Sequence, residues 1–164
     1  TNQDSPAADP DLAPVYRFWS ESLATHFYTI RETEKDLLIR EYPHVWTYDG
    51  IAFYAYPPDR APVGAKPVYR FWSPTPSSHF YTISESEKAK LQTMHADTWV
   101  YEGICFYAYG ETGRPPDAVP VYRLWAGALG MHFYTVSEAE KNKLMNGAPG
   151  QWTSEGVAWY AYPP

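Results

Sequence analysis

Along this chain an alternating stretch, a second alternating stretch, a helical stretch and an aromatic stretch follow one another in the same order three times. From Val15 to Trp19 the pattern has period two, so Tyr16 and Phe18 share one face of a strand while Val15, Arg17 and Trp19 share the other. A turn-rich segment, Ser20 to Thr25, leads into a second strand, His26-Phe27-Tyr28-Thr29. There His26 and Tyr28 point one way and Phe27 and Thr29 the other. The spacing then changes to that of a helix of about three turns, ending near Arg40. Thr29 and Glu32 have the Thr-x-x-Glu form of a capping box, and Leu38 is the expected anchor of the helix to the core. Trp46 follows, then the acid-glycine pair Asp49-Gly50, which suits a tight turn between two further strands, the last being Ile51 to Tyr56.

The whole phrase recurs at a spacing of 53 residues without a gap. Pro14 to Trp19 returns as Pro67 to Trp72 and Pro120 to Trp125, and His26-Phe27-Tyr28-Thr29 returns at His79 and His132. Thr82/Glu85 and Thr135/Glu138 repeat the capping box. Leu91 and Leu144 repeat the helix anchor, with helix ends near Thr93 and Asn146. The repeats are 14–58, 67–111 and 120–164, joined by proline-rich segments. Residues 1–13, polar and rich in Asp, Pro and Ala, read as a linker or processed N-terminus of a longer, secreted chain. A strict repeat of this length means one supersecondary unit used three times. The expected fold is therefore mainly β with one short helix per repeat. It is a single domain (14–164) in pseudo-threefold arrangement, β-trefoil-like, or alternatively a small three-bladed propeller.

Composition sharpens this picture in a few respects. A chain of 164 residues buries enough surface to need no metal or disulfide staple. The 16 prolines and 10 glycines favour turns over long helices. The 15 tyrosines suggest many rings with one wet end, at a surface or a binding face. A net charge of -6 without a basic stripe disfavours nucleic acid, and no apolar run has the length of a membrane span. The lone Cys105 stands where the other repeats have Ala52 and Ala158, which makes it a small buried hydrophobe rather than a catalytic thiol.

Some repeated positions have ready structural reasons: the glycines of the acid-glycine pairs, the opening prolines, the capping residues. Others are harder to explain by packing alone. These are Arg17, Trp19, His26, Tyr28 and Glu34, with their copies Arg70, Trp72, His79, Tyr81 and Glu87, and Arg123, Trp125, His132, Tyr134 and Glu140. Arg, His and Glu are costly to bury unpaired. If the first two strands form a hairpin, Arg17, Trp19, His26 and Tyr28 meet on one face. That combination suits a sugar: an aromatic platform for the apolar face of a pyranose, and planar hydrogen-bonding groups for its hydroxyls. Three weak sites on one rigid body gain avidity on a polymer. The same residues also suit a brace between helix and hairpin. With one histidine position common to the three repeats, zinc binding is poor, short of a three-histidine site on the axis. Each repeat offers Glu34 and Asp49, or their copies, as a carboxylate pair, but the second acid reads as turn geometry, and nucleophile motifs are absent. The expectation is a non-catalytic, lectin-like module with up to three equivalent sites, no cofactor and no metal, that acts as a monomer. The alternative is a protein-interaction or structural spacer domain.

The order Val-Tyr-Arg-Phe/Leu, His-Phe-Tyr-Thr, Glu-Lys and Trp-x-Tyr-Glu-Gly-Ile-x-Phe-Tyr-Ala, carried by all three repeats, resembles a repeat family of unassigned function. The family occurs in secreted bacterial proteins beside lysozyme-like, amidase and other hydrolase domains. The resemblance implies an extracellular accessory module that holds an enzyme against polysaccharide or cell-wall glycan. It brings no agreed functional residues. Ser154, where the other repeats have Tyr48 and Tyr101, departs from the pattern.

Overall fold

A computed structural model describes residues 9–75, 77–147 and 150–164; residues 1–8, most of the expected linker, lie outside them. The first unit runs β1 (Ala13–Ser20), β2 (Thr25–Thr29), α1 (Glu32–Glu41) and β3 (Thr47–Ala55). The second has β4 (Lys66–Ser73), β5 (Ser78–Thr82), α2 (Glu85–Met94) and β6 (Val100–Ala108). The third has β7 (Val119–Ala126), β8 (Met131–Thr135), α3 (Glu138–Gly147) and β9 (Thr153–Ala161). Each unit is its own three-stranded antiparallel sheet, in the orders β2-β1-β3, β5-β4-β6 and β8-β7-β9. The mainly-β threefold repeat is therefore present. Among the described residues, however, the sheets form neither a closed trefoil barrel nor a propeller.

The strand count is nine among the described residues, where the sequence suggested about twelve. The reason is the acid-glycine pair. Gly50, Gly103 and Gly156 have φ of 88°, 92° and 85°, the left-handed region open to glycine. They sit inside a single strand, not in a turn. Tyr16 faces Ile51 and Phe18 faces Tyr48, so the edge strand carries one extra residue against its partner. This β-bulge bends the strand, and beside it the acidic side chain meets the arginine of β1, β4 or β7.

The helix start also differs from expectation. Thr29 accepts the N–H of Arg31, and the helix begins at Glu32. In the second and third units the cap is Ser84 or Ser137, whose hydroxyl accepts the N–H of Glu87 or Glu140 at 3.1 and 3.0 Å. The N-cap is thus the serine two residues after the threonine, and its own N–H is taken by the threonine hydroxyl. None of the helices has a fully buried residue. Leu38, Leu91 and Leu144 are half-buried, and Leu91 packs on the buried cluster Tyr69, Phe71 and Phe80, the anchoring the pattern predicts. Lys35, Lys88 and Lys141 add to this attachment, with each ammonium 4.4–4.6 Å from the ring of Tyr16, Tyr69 or Tyr122.

The core lies where the three sheets converge. Val15, Val68 and Val121 are fully buried there with Phe53, Phe106 and Trp159. Cys105 belongs to this cluster, and burial pushes its thiol up to about 12. It is the buried small residue the repeat comparison indicated. Tyr28, Tyr81 and Tyr134 form a cyclic arrangement. The Tyr28 hydroxyl donates to the carbonyl of Tyr134 at 2.8 Å and accepts its N–H at 3.0 Å. Tyr81 does the same for Tyr28, and Tyr134 for Tyr81. Farther along, paired backbone bonds join Tyr54 to Tyr162, Tyr56 to Tyr107, and Tyr109 to Tyr160. A second cluster, Tyr56, Tyr109, Tyr160 and Tyr162, buries these contacts together with Leu12. About half of the tyrosines are thus buried in structural roles, while Tyr16, Tyr42, Tyr48, Tyr54, Tyr101, Tyr107 and Tyr122 keep exposed surface, as composition suggested.

Candidate functional site

The β1–β2 hairpin pairs Trp19 with His26 and Arg17 with Tyr28, bringing the four side chains to one face as anticipated. Their fates then diverge. Tyr28, Tyr81 and Tyr134 are 1–2% exposed, sealed at the centre and closed to a ligand. Trp19, Trp72 and Trp125 stack on His26, His79 and His132 with ring centroids 4.5–4.7 Å apart. Each arginine crosses to the neighbouring unit. Both Nη atoms of Arg123 donate to the two oxygens of Glu87, at 3.0 and 2.9 Å, while its Nε donates to Glu155 of its own unit at 2.9 Å. Arg70 makes the same bonds to Glu34 and Glu102, and Arg17 to Glu140 and Asp49. The guanidinium also lies 5.0–5.1 Å over Phe80, Phe27 or Phe133 of the preceding unit. The set is therefore assembled between units rather than within one. Each arginine reads two carboxylates and a phenyl face at once.

The electrostatics follow from this packing. Burial raises the Glu34 and Glu87 carboxyls, but hydrogen bonds from Arg70 and Thr29, or from Arg123 and Thr82, outweigh it and hold both below the usual range. Burial pushes His26 down to about 3, and Arg17 adds to the shift. Burial also lowers His79, although its Nε2 is 3.2 Å from Glu102. His132 has the matching approach to Glu155 at 3.0 Å. The first unit has Asp49 in place of glutamate, one methylene shorter, and no carboxylate comes within ion-pair distance of His26 among the described residues. A histidine that folds neutral stabilises fully above its unfolded value near 6.5, and that contribution falls away as pH drops toward the folded value. Urea unfolding at pH 5 is therefore expected to show about 2 kcal/mol less stability than at pH 7 from His26 alone. The depressed carboxylates keep their contribution down to about pH 4.5. His26→Leu should flatten the curve between pH 6.5 and 5. An unchanged slope in that variant would show that other groups carry the dependence.

Two matching clefts open at the junctions. One, of about 330 Å³, is lined by Phe80, Glu87, Lys90, Leu91, His95 and Trp99 of the second unit and Arg123, His132 and Glu155 of the third. The other, of about 300 Å³, is lined by Phe133, Glu140, Lys143, Leu144 and Trp152 of the third unit and Arg17, His26 and Asp49 of the first. Apart from His95, their linings correspond at the 53-residue spacing. The first–second junction carries the related set Phe27, Glu34, Trp46, Arg70, His79 and Glu102. There Phe27 lies 5.9 Å from Trp46 and 4.8 Å from His79.

The cleft tryptophans are thus Trp46, Trp99 and Trp152, not Trp19, Trp72 and Trp125, which line neither measured cleft. Their identity in all three units was a visible signal, but a tryptophan between helix and strand reads as a closing residue until the neighbouring unit is in place. The Tyr48 position, serine in the third unit, packs on Phe18 and lines neither cleft. The histidines do not converge on the centre. Among the described residues no group of three or more His, Cys, Asp or Glu could hold a metal ion, and no helix is long and apolar enough to cross a membrane.

The model of a family described as a domain of unknown function (DUF5648) matches residues 2–109. The match spans the first two units and ends before the third, which carries the same phrases. No curated protein matches the chain, and neither does any solved structure.

Proposed function

The chain belongs to the DUF5648 family, a domain of unknown function that brings no activity with it, and we propose that it is a non-catalytic carbohydrate-binding module whose ligand lies in the clefts between units. The observation that carries this reading is the recurrence of one cleft, with one residue set, at two junctions. Trp99 and Trp152 are only half-buried in it, where a core use would bury them fully. A partly exposed indole beside polar rims is suited to a pyranose, which presents an apolar face and a hydroxyl edge. Volumes near 300 Å³ are at the low end for small-molecule sites, suited to a sugar unit of a longer chain. Repetition on one body supplies avidity toward a polymer. We extend the proposal to an extracellular accessory role beside a hydrolase, acting on polysaccharide or cell wall.

Pull-down on insoluble polysaccharides and peptidoglycan tests it. Retention on at least one glycan is expected, with Trp99→Ala and Trp152→Ala each weakening retention several-fold while leaving the melting temperature within about 2 °C. No retention on any glycan sinks the reading. A structural spacer or protein-interaction domain is the second reading, and it has an observation of its own. The arginines and glutamates engage each other across the junctions, which already accounts for their repetition.

A further inference from the structure

We infer that Lys90 and Lys143 make the two inter-unit clefts selective for saccharides that carry a carboxylate, an inference that rests on the glycan reading above. In the second–third cleft Arg123 gives Nε to Glu155 and both Nη atoms to Glu87. Glu87 also takes the hydroxyl of Thr82, and Glu155 also receives His132. These groups are saturated by the fold and have little left for a ligand. Lys90 lines the same cleft, is exposed, and forms no ion pair among the described residues, where Lys35 is the lysine that does. In the third–first cleft Arg17 is divided between Asp49 and Glu140 in the same way, and Lys143 is the free ammonium.

The first–second junction differs at this position. Its counterpart of Lys90 and Lys143 is Leu37, an exposed apolar residue. There Arg70 faces Glu34 and Glu102, and Arg31, serine in the other two units, lies beside the same carboxylates. At the other two junctions the lysine balances the second carboxylate. A neutral sugar would find similar aromatic walls in the two clefts. An acidic sugar would find a free ammonium at the rim of each, and none at that position at the first–second junction. The lysine therefore sets ligand charge while the tryptophan supplies the stacking face. Because the ammonium is at a solvated rim, its effect is screened by salt.

The test uses paired probes that differ only in charge, titrated into the full chain by calorimetry at 50 mM and 500 mM NaCl. The pairs are tetragalacturonate with its methyl ester, and the N-acetylglucosaminyl-N-acetylmuramic acid disaccharide with its lactyl methyl ester. At least one free acid is expected to bind fivefold or more tightly than its ester at low salt, with two sites per chain, and to lose most of that preference at high salt. Which pair responds distinguishes a polyuronide from a cell-wall source. K90L/K143L should bring the acid to the affinity of its ester without altering the ester, and Leu37→Lys should add a third site. Equal affinity for acid and ester in both pairs overturns the inference and leaves the glycan reading intact. Acid preference that survives K90L/K143L also overturns it. Failure of every probe to bind overturns it too, and the polysaccharide panel then decides the broader reading.

Discussion

A chain ended after Gly110 is expected to lose cooperative monomeric folding, although it retains two complete units and the whole span of the family match. Every unit leans on both others. Without the third, the Tyr28 hydroxyl loses both its partners on Tyr134, and the N–H and carbonyl of Tyr81 lose the Tyr134 hydroxyl. Arg17 loses Glu140, Phe53 and Phe106 lose the Trp159 ring 5.7–6.0 Å away, and the backbone bonds of Tyr54 and Tyr109 lose Tyr162 and Tyr160. Opening a ring-like core exposes apolar surface at about 25 cal/mol per Å². A net stability of roughly 5–15 kcal/mol does not survive losses on that scale. Size exclusion with light scattering and near-ultraviolet dichroism check this. The expected species is unfolded, or an oligomer in which units of other copies close the ring. A folded monomer with a sharp thermal transition would mean that the units are independently stable.

Tyr81→Phe is expected to destabilise the chain by about 2–5 kcal/mol, the largest effect of any single-atom deletion here. The lost hydroxyl serves both backbone groups of Tyr28, at 2.9 Å each. The side chain is 1% exposed, so water cannot take its place. Two buried backbone groups are left unpaired for one oxygen removed. For a domain of this size the loss lowers the melting temperature by roughly 5–15 °C. Tyr28→Phe and Tyr134→Phe should match it, because the arrangement is cyclic. Combining two of them should depart from additivity, since each hydroxyl bonds the residue that carries another. A change below 0.5 kcal/mol for all three would show that the hydroxyl bonds contribute little.

Much of a single unit was readable from the residues. The hairpin of β1 and β2, the face shared by Arg17, Trp19, His26 and Tyr28, and the helix ends within about one residue all follow from period and spacing, which are local properties. The misreadings were local as well, and each has a competing cause. Asp49-Gly50 has the composition of a turn and the conformation of a bulge, because glycine at positive φ serves both and only the register against β1 separates them. The capping threonine lost to Ser84 and Ser137, two residues on, because Thr29 and its copies were already engaged by the first turn's backbone and glutamates.

The site was less legible for a different reason. Arg123 and Glu87 are 36 residues apart and belong to different units, as do Phe80 and His132 in the same cleft. A repeat shows which residues matter in every unit but not which unit each of them faces. The chain alone therefore specified the unit, its threefold use and the residue types kept in each copy, since these depend on propensity and on comparison at a fixed spacing. Assembly decided the partners: tyrosine hydroxyls turned inward to bond backbone, arginines locked onto carboxylates of the neighbouring unit, and Trp99 and Trp152 left open to solvent. Those outcomes depend on how three sheets meet, and contact between sheets is set by packing and desolvation across the junction rather than by any stretch of sequence within it.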